Sequence, residues 1–141
     1  MGKGTFKKIG ESAQPMYGPR GMLVCGFAPA EQDAIMKFLG DIPLADLSVI
    51  FATAADSGER LCDLLTRPDQ SGRSADCGPV RAVVLSGITE KELHRIISAY
   101  QDAGLPRPLW ASLTPFSEGW TSLALLEELK KERIAMEKNK T

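Results

Sequence analysis

The run Met22-Leu23-Val24-Cys25-Gly26-Phe27 returns in pattern as Val83-Val84-Leu85-Ser86-Gly87-Ile88, and the shift of 61 residues that relates them extends well beyond both runs. Under that shift Arg20/Arg81, Gly26/Gly87, Glu31/Glu92, Ile35/Ile96, Asp41/Asp102, Leu44/Leu105, Thr53/Thr114, Gly58/Gly119, Leu64/Leu125 and Leu65/Leu126 are identical, ten identities in the 47 positions from Arg20 to Thr66 with no gap. Unrelated segments of ordinary composition share about three. A repeated strand–glycine–helix unit cannot bury its apolar face alone, so two copies are expected to bury each other.

The bulk numbers fit that reading. A chain of 141 residues, 43% hydrophobic and 25% charged, is long enough for a core without disulfides or metals and reads as a single soluble domain. A net charge of −1 gives no global attraction to nucleic acid or to an anionic membrane. The cysteines Cys25, Cys62 and Cys77 form no Cys-x-x-Cys pair, so neither a redox couple nor a zinc knuckle is indicated. No apolar run approaches the ~18 residues of a membrane span, and the N-terminus lacks a signal-peptide core, so the expected location is the cytoplasm. Phe6 sits where a myristoylation motif needs Ser or Thr.

In chain order, residues 1–19 read as a mobile tail, and residues 20–141 as one domain of two repeats, 20–66 and 81–132, joined by the Asp-, Ser-, Gly- and Pro-rich loop 67–79. Strands are expected at Gly21–Phe27, Leu47–Ala52, Val80–Leu85 and Leu109–Leu113, the last flanked by prolines and therefore at an edge. The first helix starts at Pro29, with Glu31 meeting its positive end and Ile35, Met36, Phe38 and Leu39 inward. A short helix over Ser57–Thr66 turns Leu61, Cys62, Leu64 and Leu65 inward. Thr89 and Glu92 form a capping box for the next helix, which Gly104 stops. The last helix starts near Thr121, with Leu123, Leu125, Leu126 and Leu129 as its apolar face.

The second copy carries a strand, Gly87, Glu92 in the first helical turn, Gly104, a second strand ending in Thr114, then Trp120-Thr121 and Leu126-Glu127-Glu128-Leu129. In these residues it resembles a bacterial family of short domains of unknown function, about sixty residues long, here in two tandem copies. Gly26-Phe27 fits the Gly-aromatic strand end of that family better than Gly87-Ile88, whereas Glu59-Arg60 stands where the Trp-Thr pair would fall. The resemblance implies a fold type and no chemistry.

Candidate sites each carry a structural reading beside the functional one. Gly26 and Gly87 precede helix N-termini, where free N–H groups attract anions; turn geometry explains them first, since no Gly-x-Gly-x-x-Gly or Walker pattern is present. Glu31 and Glu92 could be a symmetry-related carboxylate pair, but capping accounts for both. Cys25 ends a strand, and a reactive thiolate there would need a base; the single histidine, His94, belongs to the other copy. His94 alone makes no metal site. The stretch Thr114–Thr121, with Phe116 and Trp120, is the best surface candidate, as a ligand or partner anchor or as packing for the last helix. The speculative ligand-binding set is thus Gly26, Gly87, Thr114, Phe116 and Trp120, with no catalytic residue, metal ligand or cofactor assigned.

The fold expected is α+β: a ferredoxin-like four-stranded antiparallel sheet built from two strand–helix–strand–helix halves, with the two most apolar strands central and antiparallel. The alternative is an all-parallel doubly wound sheet. The function expected is a non-catalytic binding or protein-interaction module, with a homodimer or another protein as partner. Alternatives are a regulatory domain sensing a small anion or nucleotide, and a cysteine-dependent enzyme. RNA binding is disfavoured because strand 3 lacks stacking aromatics.

Overall fold

The structure, a computed structural model, describes residues 15–42, 44, 47–56, 58–73, 80–115 and 117–139, with main chain alone at 54 and 133–139. Its elements are β1 (Gly21–Cys25), α1 (Pro29–Gly40), β2 (Ser48–Ala52), a 3-10 turn (Ala54–Asp56), α2 (Leu61–Leu64), β3 (Ala82–Ser86), α3 (Glu90–Asp102), β4 (Leu109–Ser112) and α4 (Ser122–Asn139). Phe116, Cys77, residues 1–14 of the expected tail and residues 74–79 of the expected join lie outside the described residues.

The four strands form one open sheet in the order β2-β1-β3-β4. β1 pairs parallel with β2, β3 pairs parallel with β4, and the central pair β1·β3 is antiparallel. The two most apolar strands are therefore central and opposed, as expected. The ferredoxin-like order is corrected: in that order each unit's strands are separated by a strand of the other unit, whereas here each strand–helix–strand unit keeps its strands adjacent and parallel. The all-parallel alternative is corrected as well, by the antiparallel centre. The outcome is a mixed α/β sheet.

The register carries the same shift as the sequence. Gly21↔Ser48 through Leu23↔Ile50 in one half become Ala82↔Leu109 through Val84↔Ala111 in the other, 61 residues on at every position. Across the centre, Gly21 faces Ser86, Cys25 faces Ala82, and Leu23 faces Val84. Leu23 maps onto Val84 under the shift, so an approximate twofold passes between them.

Strand residues alternate between two faces, and both faces are covered. Met22, Val24, Val49, Phe51, Val83 and Leu85 pack with Ile35, Phe38 and Leu39 of α1 and Ile96 and Tyr100 of α3. Leu23, Cys25, Ile50, Ala52, Ala82, Val84 and Leu109 pack with Leu61 and Leu64 of α2 and Leu125 of α4. Leu123, expected on the apolar face of α4, is 49% exposed.

Local chemistry fixes the helix ends. Thr89 and Glu92 make the full capping box of α3: the Glu92 N–H donates to Thr89 Oγ1 at 3.1 Å, and the Thr89 N–H to Glu92 Oε1 at 2.9 Å. At α1 the N-cap is Ala28, which has no acceptor, so only the returning half is present, from the Ala28 N–H to Glu31 Oε1 at 3.0 Å. The helix expected over Ser57–Thr66 shortens to Leu61–Leu64 because the main chain before it is engaged elsewhere: the Leu61 N–H donates to Trp120 O and the Ser122 N–H to Glu59 O, a bridge about Arg60↔Thr121. Arg60 and Thr121 are again 61 apart. Pro15 to Pro19 run beside the Gly87 turn, where the Met16 N–H donates to Ile88 O at 2.7 Å and the Gly87 N–H to Tyr17 O at 3.1 Å.

Candidate functional site

The glycine turns are where the halves touch. Gly26 (φ +79°) and Gly87 (φ +66°) hold the left-handed conformation that glycine adopts without strain. A Cβ at Gly26 would lie 1.9 Å from Val80 O; one at Gly87 would lie 2.5 Å from Gly18 O and 2.7 Å from Arg20 N. Each turn thus abuts the main chain that leads into the other half's strand, which accounts for both glycines through packing.

The two glutamates bind across the same junction. Arg20 of the first half grips Glu92 of the second with Nη1–Oε1 at 2.8 Å and Nη2–Oε2 at 2.5 Å. Arg81 grips Glu31 with Nη2–Oε2 at 2.8 Å and Nε–Oε1 at 3.2 Å. The Arg20 guanidinium holds the Glu92 carboxyl down at about 2 against the opposing effect of burial, with the Thr89 N–H helping. Arg81 lowers the Glu31 carboxyl in the same way, and Glu31 raises Arg81. Forked guanidinium–carboxylate pairs are the strong form of this interaction. Carboxylates neutralised by arginine at both oxygens have a structural role here, as caps and ties.

The thiol and the imidazole are on opposite sides of the sheet. Cys25 is 3% exposed in the α2/α4 layer, whereas His94 lies on α3, which covers the other face. A Cys–His dyad between them is geometrically closed off.

The loops after β2 and β4 also meet about the twofold. Asp56 accepts from the Thr53 N–H at 2.8 Å and pairs with Arg67 at 3.1 Å; burial pushes its carboxyl up, but these partners bring it below the ordinary range. Ser117 takes the equivalent place in the second half: the Thr114 N–H donates to Ser117 Oγ at 3.2 Å and the Ser117 N–H to Thr114 Oγ1 at 3.1 Å. Thr114 is therefore engaged in closing its own turn. Trp120 is half-buried against the α2/α4 layer, and its carbonyl holds the Leu61 N–H, so it joins the last helix to the first half. Of the five sequence candidates, the structure brings Thr114 and Trp120 together in one loop and sets Gly26 and Gly87 in the junction; Phe116 lies outside the described residues.

The sheet edges break the symmetry. The outer edge of β2 is covered by its own chain: the Val49 N–H donates to Asp69 Oδ1 at 2.8 Å, the Gln70 N–H to Val49 O at 2.6 Å and the Phe51 N–H to Ser71 O at 2.8 Å. Gly72 (φ +77°) packs so closely on Phe51 O that a Cβ would stand 2.1 Å from it. This strap, residues 67–73, follows directly on α2. The matching residues 128–134 of the second half continue as helix α4. Pro68 breaks the helix in the first half, and Leu129 occupies its place in the second. Among the described residues, none straps the outer edge of β4. Leu109 and Leu113 donate to Arg81 O and Leu85 O of β3, so alternation turns the N–H and C=O groups of Trp110 and Ser112 outward.

Beside that edge lies a groove of about 560 Å³ between the second half of α3 and the chain entering β4. Ile97, Tyr100, Leu105 and Trp110 form its apolar wall, and Gln101 and Arg107 its polar rim. Tyr100 anchors the wall: its ring meets Trp110 edge-on at 5.3 Å and Phe38 at 6.0 Å, its hydroxyl donates to Pro106 O, and burial pushes its phenol up to about 12. Arg107 is exposed, and among the described residues no carboxylate pairs with it. Sequence reasoning missed this groove. The available signal was the contrast between Arg67-Pro68-Asp69 and Glu128-Leu129-Lys130, which shows that only one half can turn back along its edge strand.

These features define a mixed α/β domain with one sheet edge strapped and the other, among the described residues, open. No helix among the described residues is long and apolar enough to cross a membrane. Residues 81–136 match a domain of unknown function, DUF3783. That match spans β3, α3, β4 and most of α4, the part of the chain in which the resemblance to a short domain of unknown function was carried by the sequence. No curated protein and no solved structure matches the chain.

Proposed function

We propose that the chain is a non-catalytic protein-interaction module, a tandem duplication of one strand–helix–strand–helix unit in which the first copy is sealed and the second binds. The carrying observation is the unequal treatment of the two outer strands: β2 is strapped by residues 69–71, whereas Trp110 and Ser112 of β4 present their main chain beside an aromatic-walled groove. An exposed edge with a pocket at its side is the form in which sheets accept added strands. The duplication is supported by the constant shift of 61 in strand register, in the two ion pairs and in the Arg60↔Thr121 bridge. A bacterial origin rests on the family resemblance, and a cytoplasmic location on the sequence reading.

A photo-crosslinking residue at Ser112 tests the reading. The expected result is a discrete adduct with one polypeptide, which, once identified and purified, slows hydrogen exchange at residues 109–113. Inorganic phosphate and nucleotides at millimolar concentration are expected to leave the Tm unchanged. A Tm rise with phosphate, together with no protection of β4 by any adduct partner, would replace the interaction module with the anion-sensing alternative.

A further inference from the structure

We infer that the open edge takes a particular ligand class: an extended acidic peptide, bound as a fifth strand parallel to β4, with an apolar side chain in the Tyr100/Trp110 groove and a carboxylate at Arg107. This rests on the interaction-module reading and deepens it.

The chain itself shows what such an edge accepts. In the first half the strap ascends alongside β2, meeting Val49 at residues 69 and 70 and Phe51 at residue 71, so it runs parallel to the strand. In one of its three bonds the acceptor is a carboxylate, Asp69 Oδ1, to which the Val49 N–H donates. Trp110 and Ser112 are the counterparts of Val49 and Phe51 under the 61-residue shift, and they turn the same groups outward. The geometry that receives the strap is therefore repeated on β4, where helix α4 carries the chain away.

What differs between the edges adds selectivity. Trp110 projects to the α3 face, and a residue paired beside it in an added strand would project to the same face, into the groove. Main-chain bonds then supply affinity and the pocketed side chain supplies specificity. The rim offers the Arg107 cation, whose fork matches a carboxylate and repels a basic peptide. His94 and Arg95 on α3, together with Lys91, Asp41 and Asp102, line a separate shallow groove at the far side of that helix and take no part.

The test is a titration of the full-length labelled chain with synthetic hexapeptides in which Val or Phe alternates with Asp, against the same peptides with Lys for Asp. The acidic series is expected to shift and protect the Trp110 and Ser112 amides and to bind at least about tenfold more tightly than the lysine series. Arg107→Glu is expected to reverse that order. Ser112→Pro is expected to leave the Tm in place, because the N–H it removes faces outward, and to weaken acidic peptides at least about tenfold. Equal binding of both series, or shifts confined to residues away from β4 and the groove, would overturn the inference. So would concentration-dependent broadening of the Trp110 and Ser112 amides with a doubling of mass and no peptide, which would assign the edge to a second copy of the chain. If a purified partner protects β4 through a basic or helical segment, the interaction module stands and the acidic-strand inference falls. If neither peptide nor partner protects β4, both fall.

Discussion

Arg20 and Arg81 are identical residues doing identical work, each reaching from its own half to the glutamate that caps the other half's helix. Because Arg20 holds the Glu92 carboxyl at about 2, below its ordinary 4.5, the folded state binds that proton more weakly than the unfolded chain does. The stabilisation is therefore complete above the unfolded value and is lost as pH falls from about 4.5 towards 2. Glu92→Gln is expected to cost about 1–2 kcal/mol at pH 7, solvent screening of a partly exposed pair discounting the full shift. The cost should shrink through that acid window, so urea unfolding at pH 7, 4 and 2.5 should show parent and variant converging; curves that stay parallel would show that the pair has no pH-linked role. The glycines make a second contrast. Gly26→Ala places a methyl 1.9 Å from Val80 O in a left-handed backbone, whereas Gly40 has nothing within 4 Å of the same position. The first substitution is expected to cost more than about 3 kcal/mol, and Gly40→Ala to gain up to about 1 kcal/mol; thermal unfolding of the pair reads the difference.

The strap and the open edge are differences between elements that share a sequence pattern. Asp69→Ala removes the acceptor for the Val49 N–H and leaves the rest of the strap attached by main chain. It is expected to cost about 1 kcal/mol and to speed hydrogen exchange at Val49 towards the rates of the outward amides Trp110 and Ser112. Unchanged protection at Val49 would mean that the main-chain bonds of Gln70 and Ser71 hold the strap in place without Asp69. Much at this level was legible in residues: the apolar runs gave β1 and β3 as central strands, Thr89 and Glu92 gave the capping box, and the prolines around β4 gave an edge. The pairing inside each half was not. A strand, a helix and a second strand are equally compatible with adjacent strands and with strands separated by one from the other unit, because the helix spans either gap and the apolar pattern is the same. The ferredoxin-like arrangement therefore followed from a central antiparallel pair, which the structure has, and an undetermined spacing. The strap was hidden for another reason: it bonds through main chain and a single carboxylate, which leave no hydrophobic period to read. The groove was hidden because Tyr100 and Trp110, ten positions apart on different elements, meet only once β4 lies beside β3.

At the level of the whole molecule, the approximate twofold makes the junction a self-complementary surface split between two different partners. At the axis, what the second half takes from the first has an equivalent in the second half itself: Val84 stands for Leu23, Arg81 for Arg20 and Glu92 for Glu31. Separated from the first half, β3 would expose the main chain that now pairs with β1, together with an unpaired Arg81 and Glu92. Such an edge is covered most simply by a second copy through an isologous contact. The segment 80–139 alone is therefore expected to fold as a dimer, with Val84 opposite Val84 and Arg81 of each copy on Glu92 of the other. Sedimentation equilibrium should give twice the segment's mass with helical circular dichroism, and dilution should unfold it as it dissociates. Arg81→Glu should abolish that dimer by setting like charges together, and Arg81→Glu with Glu92→Arg should restore it, since the exchanged charges meet again across the axis. A segment that folded as a stable monomer would mean that the two halves touch without depending on each other, and the junction of glycine turns and forked ion pairs would lose its place as the organising surface of the fold.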